Sequence, residues 1–305
     1  MPLPSPEISR RVRGVVSGLL SLFLVLAVLG AVARPGWAGT VREEHLASAV
    51  LGRDYPFLVY LPDPPRGAPG KQAGAPLPVL YLLHGANGDE HAWVDKGKMV
   101  ATLDRLIAEK RIKPLIVVMP GHKGMWWVDG HGDKAETVLL KELLPEVERR
   151  FPVRSDRAGR AVAGLSAGGF ATLRLAFKYP QLFAAGAALS PAIYAPEPPA
   201  GSSARKDPAF QKKNGRFDAR LWQRLNWPSL LDAYRNQPLR VPLYINSGDR
   251  DRFDIAYHAA VFHHTVRPLQ PEAIAFRVVD GDHEWPVWER TLGDALLFMD
   301  PYLGG

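Results

Sequence analysis

An α/β architecture, with a mostly parallel, doubly wound sheet and helices on both faces, is predicted by three observations on this 305-residue chain. Short, continuous apolar runs occur at 79–83, 115–119 and 161–165, as strands buried on both faces require. Segments of helical spacing lie between and after them, and strands alternating with helices argue for parallel pairing. The third run passes through Gly164-Leu165-Ser166-Ala167-Gly168 directly into a helical pattern at 171–177, which reads as strand, tight turn and helix.

The chain opens with Arg10, Arg11 and Arg13, followed by an uncharged, Leu- and Val-rich stretch over 14–33. A basic segment, an apolar segment and small residues at Ala31-Val32-Ala33 or Gly36-Trp37-Ala38 form the pattern of an export signal, so 1–38 is assigned as signal peptide. The apolar stretch is just long enough to span a bilayer, which makes an uncleaved signal anchor the alternative and the only membrane association expected. Residues 39–305 are left for the folded domain.

Alternation from Val41 through residue 53, and again over 55–62, predicts an antiparallel entry hairpin. Residues 63–78 are rich in Pro, Gly and Ala and read as an exposed loop. The strand at 79–83 ends in His84-Gly85-Ala86-Asn87-Gly88. A helix is expected near 99–111, a loop over 120–133 and a helix over 134–150. Beyond the Ser166 turn come strands at 184–189, 243–246 and 275–279, and a closing helix over 285–298. The interval 191–238 breaks this rhythm, first Pro-rich and charged, then helical over 217–225. An insertion that leaves the carboxyl end of a strand lies beside the ligand crevice of an open sheet, so 191–238 reads either as a small cap that shapes the pocket or as a solvated surface excursion.

Composition narrows the function. The formal charge is +7, of which 1–38 carry +3, and the remaining +4 is not the basic stripe of a nucleic-acid binder. Cysteine is absent, which excludes disulfides, a thiolate metal site, a catalytic thiol and a lipidated cysteine. The histidines at 258, 263 and 264 do not stand at the i, i+4 spacing of a helical metal pair, and neither metal nor organic cofactor is expected.

Gly-x-Ser-x-Gly between strand and helix has a physical logic. The backbone of the serine is strained, and the residues two before and two after must be nearly free of side chain for the turn to close and lift Oγ above the sheet. Gly164 and Gly168 meet that demand. Serine is a weak nucleophile that needs a base, and the base needs an acid to fix its tautomer. His283, after the last strand and before the last helix, is the expected base. Asp249, Asp251 and Asp254 compete for the acid after the preceding strand, with Asp251 preferred. The order Ser, Asp, His along the chain is that of the α/β-hydrolase fold. An oxyanion would be met by the amides of Ala167, next to the serine, and Ala86, where Gly85 lets the backbone turn. His84 precedes the serine and is expected to brace this loop. Trp126, Trp127, Tyr194 and Trp285 fall in loops at carboxyl ends of strands, where flat aromatic faces could hold an acyl chain, a phenolic acid or a sugar ring.

Over about 48–297 the sequence resembles the esterase family of α/β-hydrolases that groups esterase D, the antigen 85 mycolyltransferases, and feruloyl and acetylxylan esterases. The carriers are Leu51-Gly52-Arg53 with Val59-Tyr60-Leu61-Pro62, Leu82-Leu83-His84-Gly85, Val118-Met119-Pro120, and residues 160–170 around Ser166. Tyr179-Pro180 with Phe183, Gly248-x-x-Asp251-x-Phe253 and Gly281-x-His283-x-Trp285 complete them. The resemblance implies that Ser166, Asp251 and His283 form the triad, in agreement with order and loop position. Ala167 stands where the family commonly has methionine, which keeps the backbone donor and alters the pocket wall. The chemistry implied is that of an exported serine esterase, with acetyl or feruloyl esters of polysaccharide as expected substrates. An acyltransferase or siderophore-ester hydrolase shares the chemistry, and a non-catalytic carbohydrate or envelope-binding protein is the rival from another class.

Overall fold

A computed structural model describes residues 39–63, 75–122 and 126–304. The export signal expected over 1–38 lies outside them, and among the described residues no helix is long and apolar enough to cross a membrane.

The sheet has eight strands: β1 (Thr40–Ser48), β2 (Arg53–Leu61), β3 (Val79–Leu83), β4 (Ile116–Pro120), β5 (Arg160–Leu165), β6 (Ala185–Leu189), β7 (Leu243–Gly248) and β8 (Ile274–Val279). Their order across the sheet is β1-β2-β4-β3-β5-β6-β7-β8. β1 and β2 form the expected antiparallel hairpin, and every pair from β4 to β8 is parallel. The hairpin turns at 49–52, where Gly52 takes φ +63°.

Alternate residues of the buried strands face opposite layers. Leu80 and Leu82 of β3 share a core with Val117, Met119, Ala161 and Ala163, and with Leu103 and Leu106 of α1 (Met99–Ala108). Val79, Tyr81 and Leu83 point the other way, among Ile116, Val118 and Val162. Both faces of one strand are thus apolar, which is why its sequence reads as an unbroken run. The region expected as one helix over 134–150 is interrupted: a π-helical stretch, Val138–Leu143, precedes α2 (Leu144–Arg150). The remaining long helices are α3 (Ala167–Lys178), α5 (Ile255–Val266) and α6 (Trp285–Met299). The chain winds outward to β4 on one side of β3 and to β5 on the other, so the sheet reverses direction between β3 and β5. Ligands bind such open sheets at the carboxyl edge of that switch point.

The 191–238 interval consists of short 3₁₀ turns, a helix of two turns, α4 (Ala219–Leu225), whose N-terminus is capped by Asp218 accepting the Leu221 amide, and a single helical turn at Leu231–Arg235. It packs through aromatic rings. Trp126, Phe170 of α3, Phe210 and Trp222 meet with ring centroids 5.1–5.5 Å apart, and such pairs contribute roughly 0.5–1.5 kcal/mol each beyond simple burial. Arg174 of α3 ties the same interval down by donating to the Leu225 carbonyl at 2.9 Å, while its other nitrogens pair with buried Glu136.

Asp207 is buried in this interval and accepts the Ala209 amide at 2.9 Å. Burial, reinforced by Asp133, pushes its carboxyl up to about 6. Because the folded-state value lies above the unfolded one, this group disfavours the native state as pH rises through that window, and the full cost is present above it. Asp207→Asn keeps the acceptor and removes the charge, so it should raise stability by about 2 kcal/mol at pH 8 and leave it nearly unchanged at pH 4. Thermal unfolding at the two pH values measures this, and an equal shift at both would assign the effect to packing.

Candidate active site

Ser166 sits between β5 and α3 with φ +54° and ψ −113°, a backbone conformation that costs an L-residue roughly 1–3 kcal/mol. Three hydrogen bonds hold it there. Its amide donates to the Leu189 carbonyl of β6 at 2.9 Å, and its own carbonyl accepts the Phe170 and Ala192 amides at 2.9 and 3.0 Å. The flanking glycines are required by contact. A Cβ at Gly164 would lie 2.6 Å from the Gly168 carbonyl carbon, and one at Gly168 would lie 2.6 Å from the carbonyl oxygens of both Leu83 and His84.

The loop after β3 closes over this turn. A Cβ at Gly85 would reach 2.6 Å from the Leu165 side chain and 3.3 Å from Ser166 Cβ, so a bare residue is what lets the loop approach the serine. Half-buried Ala86 follows it. Ala167 is the first residue of α3, a position whose amide has no partner within its own helix. His84 is 1% exposed, and burial pushes its imidazole down to about 4, against the pull of its bond to Gly85. The neutral ring donates from Nδ1 to the Gly85 carbonyl at 2.8 Å. The loop is gripped from behind as well: Trp127 Nε1 donates to the His84 carbonyl at 3.0 Å and Trp93 Nε1 to the Leu83 carbonyl at 3.1 Å.

The loops after β7 and β8 are joined along their length. Gly248 and Gly281 touch so closely that a Cβ at Gly248 would run into the Gly281 carbonyl. Asp249 accepts the Gly281 amide at 2.9 Å, Arg250 pairs with Asp280 at 2.7 Å, and Arg252 pairs with Asp282 at 2.7 Å. Asp282 also accepts the His283 amide at 2.6 Å, which fixes where that histidine leaves the loop. The three aspartates are thereby separated. Asp249 staples the two loops, and Asp254 precedes α5 with φ +54°. The side chain of Asp251 is fully covered. Its Oδ1 accepts the Phe253 amide at 3.0 Å, and its Oδ2 lies 2.8 Å from His283 Nδ1. On the other side of the ring, His283 Nε2 stands 2.9 Å from Ser166 Oγ. The rings of Phe253 and Trp288 meet the imidazole edge-on at 5.0 and 5.1 Å, and Trp288 Nε1 is anchored on Ser190 Oγ at 3.1 Å. Phe253 belongs to the Gly248-x-x-Asp251-x-Phe253 motif, but its clamping role and that of Trp288 are not legible in the sequence, since the spacing of the acid and base does not show what clamps the ring between them.

The four aromatic candidates divide. Trp126 and Trp127 are 1% and 0% exposed, and neither offers a face to a ligand: Trp126 belongs to the ring cluster on Phe170, and Trp127 braces the His84 loop. Tyr194 is buried too, packed edge-on against His258 at 5.3 Å, with its carbonyl accepting from Trp222 and Asn226. An indole in a loop can bury its rings where its N–H finds an acceptor, here the His84 carbonyl for Trp127 and Ser203 Oγ for Trp126. Only Trp285 keeps partial exposure, edge-on to Trp93 and Trp288 at 5.5 and 5.3 Å.

The family model described as "Putative esterase" matches residues 48–299. An endo-1,4-beta-xylanase/feruloyl esterase of Xylanibacter ruminicola is 34% identical over 169 residues, 52% of this chain and 22% of that protein. An esterase of Mycobacterium tuberculosis is 36% identical over 146 residues, 45% of this chain and 29% of that one. The matched stretches thus span less than a third of these relatives' length. A solved ferulic acid esterase superposes with a TM-score of 0.71 at 26% identity, covering 88% of this chain and all of that one.

The turn makes a sharp demand on Gly168. Gly168→Ala would drive Cβ into two backbone carbonyls and should destabilise the protein by about 3 kcal/mol. Gly52→Ala, with positive φ but nothing within 4 Å of the new atom, should cost only about 1 kcal/mol. Denaturant midpoints for the pair test the distinction, and equal losses would show that the close approach is not what fixes glycine at 168.

Proposed function

The chain belongs to the esterase family of α/β-hydrolases, and from this premise we propose that it is a carboxylic ester hydrolase in which Ser166, His283 and Asp251 carry out the reaction through an acyl-enzyme. One observation supports these roles above the rest: the unbroken hydrogen-bond path from Ser166 Oγ through both nitrogens of His283 to Asp251. As Oγ attacks the acyl carbon, Nε2 takes its proton, and Asp251 holds Nδ1–H and stabilises the imidazolium. The carbonyl oxygen, now negative, accepts from the Ala86 and Ala167 amides. Collapse expels the alcohol, which receives the proton from Nε2, and a water activated in the same way releases the acid.

The substrates we propose are acetyl or feruloyl esters of polysaccharide outside the cytoplasm. The feruloyl esterase likeness supports the acyl group. Export is supported by the arginines at 10, 11 and 13 before the apolar 14–33 stretch. Domain 39–305 then acts as the exported enzyme, and the 191–238 interval, beside the carboxyl edge of the sheet, shapes its pocket with the partly exposed Trp285.

Hydrolysis of p-nitrophenyl acetate, butyrate and octanoate and of methyl ferulate tests this directly. Ser166→Ala and His283→Ala should each lower kcat by at least about 10³-fold in folded protein, with no further loss in the double variant. Asp251→Asn should fall nearly as far, whereas Asp249→Asn should lose less than about tenfold. A fluorophosphonate should label wild type and not Ser166→Ala. A folded, unlabelled wild type that is inactive on every ester would overturn the reading.

Trp127→Phe keeps one aromatic ring at this position and removes the donor to the His84 carbonyl. Loosening the loop that carries Ala86 should lower kcat by about tenfold with KM little changed, because the oxyanion develops only in the transition state. An unchanged kcat would show that the loop is held without this bond.

A further inference from the structure

The charge of this chain is concentrated where its fold departs from the regular sheet. Residues 203–224 hold seven basic and two acidic residues, a net +5, whereas the whole of 39–305 carries +4. Both acids are already engaged: Asp207 is buried, and Asp218 caps α4 and pairs with His131 at 3.1 Å. Of the bases, Arg205 pairs with Glu197 and lies over the Phe217 ring at 4.9 Å. The other six, Lys206, Lys212, Lys213, Arg216, Arg220 and Arg224, are exposed. None has an ion-pair partner within 4.0 Å among the described residues, whereas half of the described lysines and arginines elsewhere have one.

The position of this surface is fixed by contacts with the loop after β4, at the carboxyl edge of the sheet. The His131 amide donates to the Ala209 carbonyl at 2.8 Å, and Trp126 of the same loop reaches Ser203 Oγ at 3.3 Å. The ring cluster then joins it to Phe170, whose amide bonds the Ser166 carbonyl. An array of unpaired cations on the same edge as the reacting serine raises the local concentration of a polyanionic substrate and holds it there.

Resting on the esterase reading above, we propose that the substrate is an ester of a carboxylate-bearing polysaccharide, its uronate groups lying along Lys212, Lys213, Arg216, Arg220 and Arg224 while an acyl group enters at Ser166. The surface has none of the other attributes that an anionic partner would demand. A membrane-binding face needs apolar anchors, yet among the described residues the exposed large apolar side chains are Val50, Leu239, Tyr257, Val261 and Val278, all outside 203–224. A groove for single-stranded nucleic acid needs aromatic faces for stacking, and here Phe210 and Trp222 are buried while Arg205 covers Phe217. A carbohydrate acid asks only for spaced cations.

The test compares O-acetylated homogalacturonan with O-acetylated glucomannan at equal acetyl content, alongside p-nitrophenyl acetate, for wild type, Lys212→Glu/Lys213→Glu/Arg216→Glu and Arg220→Glu/Arg224→Glu. In 20 mM salt, kcat/KM on the acidic polymer should exceed that on the neutral one by about tenfold, and about 500 mM salt should erase the difference. The charge reversals should abolish the preference mainly through KM, with p-nitrophenyl acetate hydrolysis kept within about twofold. Equal rates of wild type on the two polymers at low salt would overturn the proposal whatever the variants do. So would a preference insensitive to salt, or binding to phosphatidylglycerol vesicles without discrimination between the polymers. A wild type without Ser166-dependent p-nitrophenyl acetate hydrolysis would instead count against the esterase reading.

Discussion

The contact on which the rest of the site depends is the approach of Gly168 to the carbonyls of Leu83 and His84, with Gly164 pressed against Gly168 from the strand side. It is a backbone-to-backbone contact, so no side-chain rearrangement relieves it. Once it is made, β3 and β5 must be neighbours, the loop after β3 must pass over the Ser166 turn, and α3 must leave at the angle that keeps Ser166 at φ +54°. The strain is then held from a third direction by β6, through the Leu189 carbonyl. β3 and the consecutive β5, α3 and β6 are thus tied together around three residues without side chains, Gly85 being the third.

A second constraint acts through charge and is of a different kind. Exposed pairs such as Arg250–Asp280 and Arg252–Asp282 contribute little to stability singly, typically below about 1 kcal/mol. Their effect here is geometric. With the Gly248–Gly281 contact they hold two loops in one register, so that His283 leaves its loop facing Asp251 on one side and Ser166 on the other. The Asp251 carboxylate can be fully covered because an imidazole and a backbone amide satisfy it. Asp249 and Asp254 have no such enclosure, which is why three aspartates within six residues have separate fates.

Much of this was legible in the sequence, for identifiable reasons. Strands buried on both faces must be apolar throughout, so β3, β4 and β5 declared themselves, and a turn that excludes side chains leaves its glycines at fixed spacing around Ser166. Chain order placed His283 and Asp251 on successive loops. Which of the tryptophans turn inward is not legible, because a loop has no period from which to read an inward or outward face: Trp126 and Trp127 are buried, whereas Trp285 is not. Trp127 differs from an exposed indole only in the partner its N–H finds, the carbonyl of His84, and that partner lies more than forty residues away. The π-helical stretch within 134–150 was hidden for the opposite reason: its apolar spacing satisfies a helix, and one residue of slippage per turn does not disturb the pattern enough to show.

The concentration of charge over 203–224 is not legible in the net charge of 39–305, where the +5 of that interval stands beside a remainder of −1. The structure gives that interval a physical meaning by how it is attached. Its inner side is a cluster of rings bound to Phe170 and an Arg174 bond to the Leu225 carbonyl, both reaching α3 behind the serine. Its outer side is cationic and makes no packing contribution that would fix the identity of its residues. Interior rings set the position, so the outward charges can change without moving Ser166 or His283. In such an arrangement the sheet and its glycine contacts determine what reaction is possible, and the solvent side of the inserted segment determines which polymer is brought to it. The two are joined through a rigid aromatic core and not through a flexible hinge, so a change in surface charge alters encounter and residence without altering the geometry at the bond that breaks.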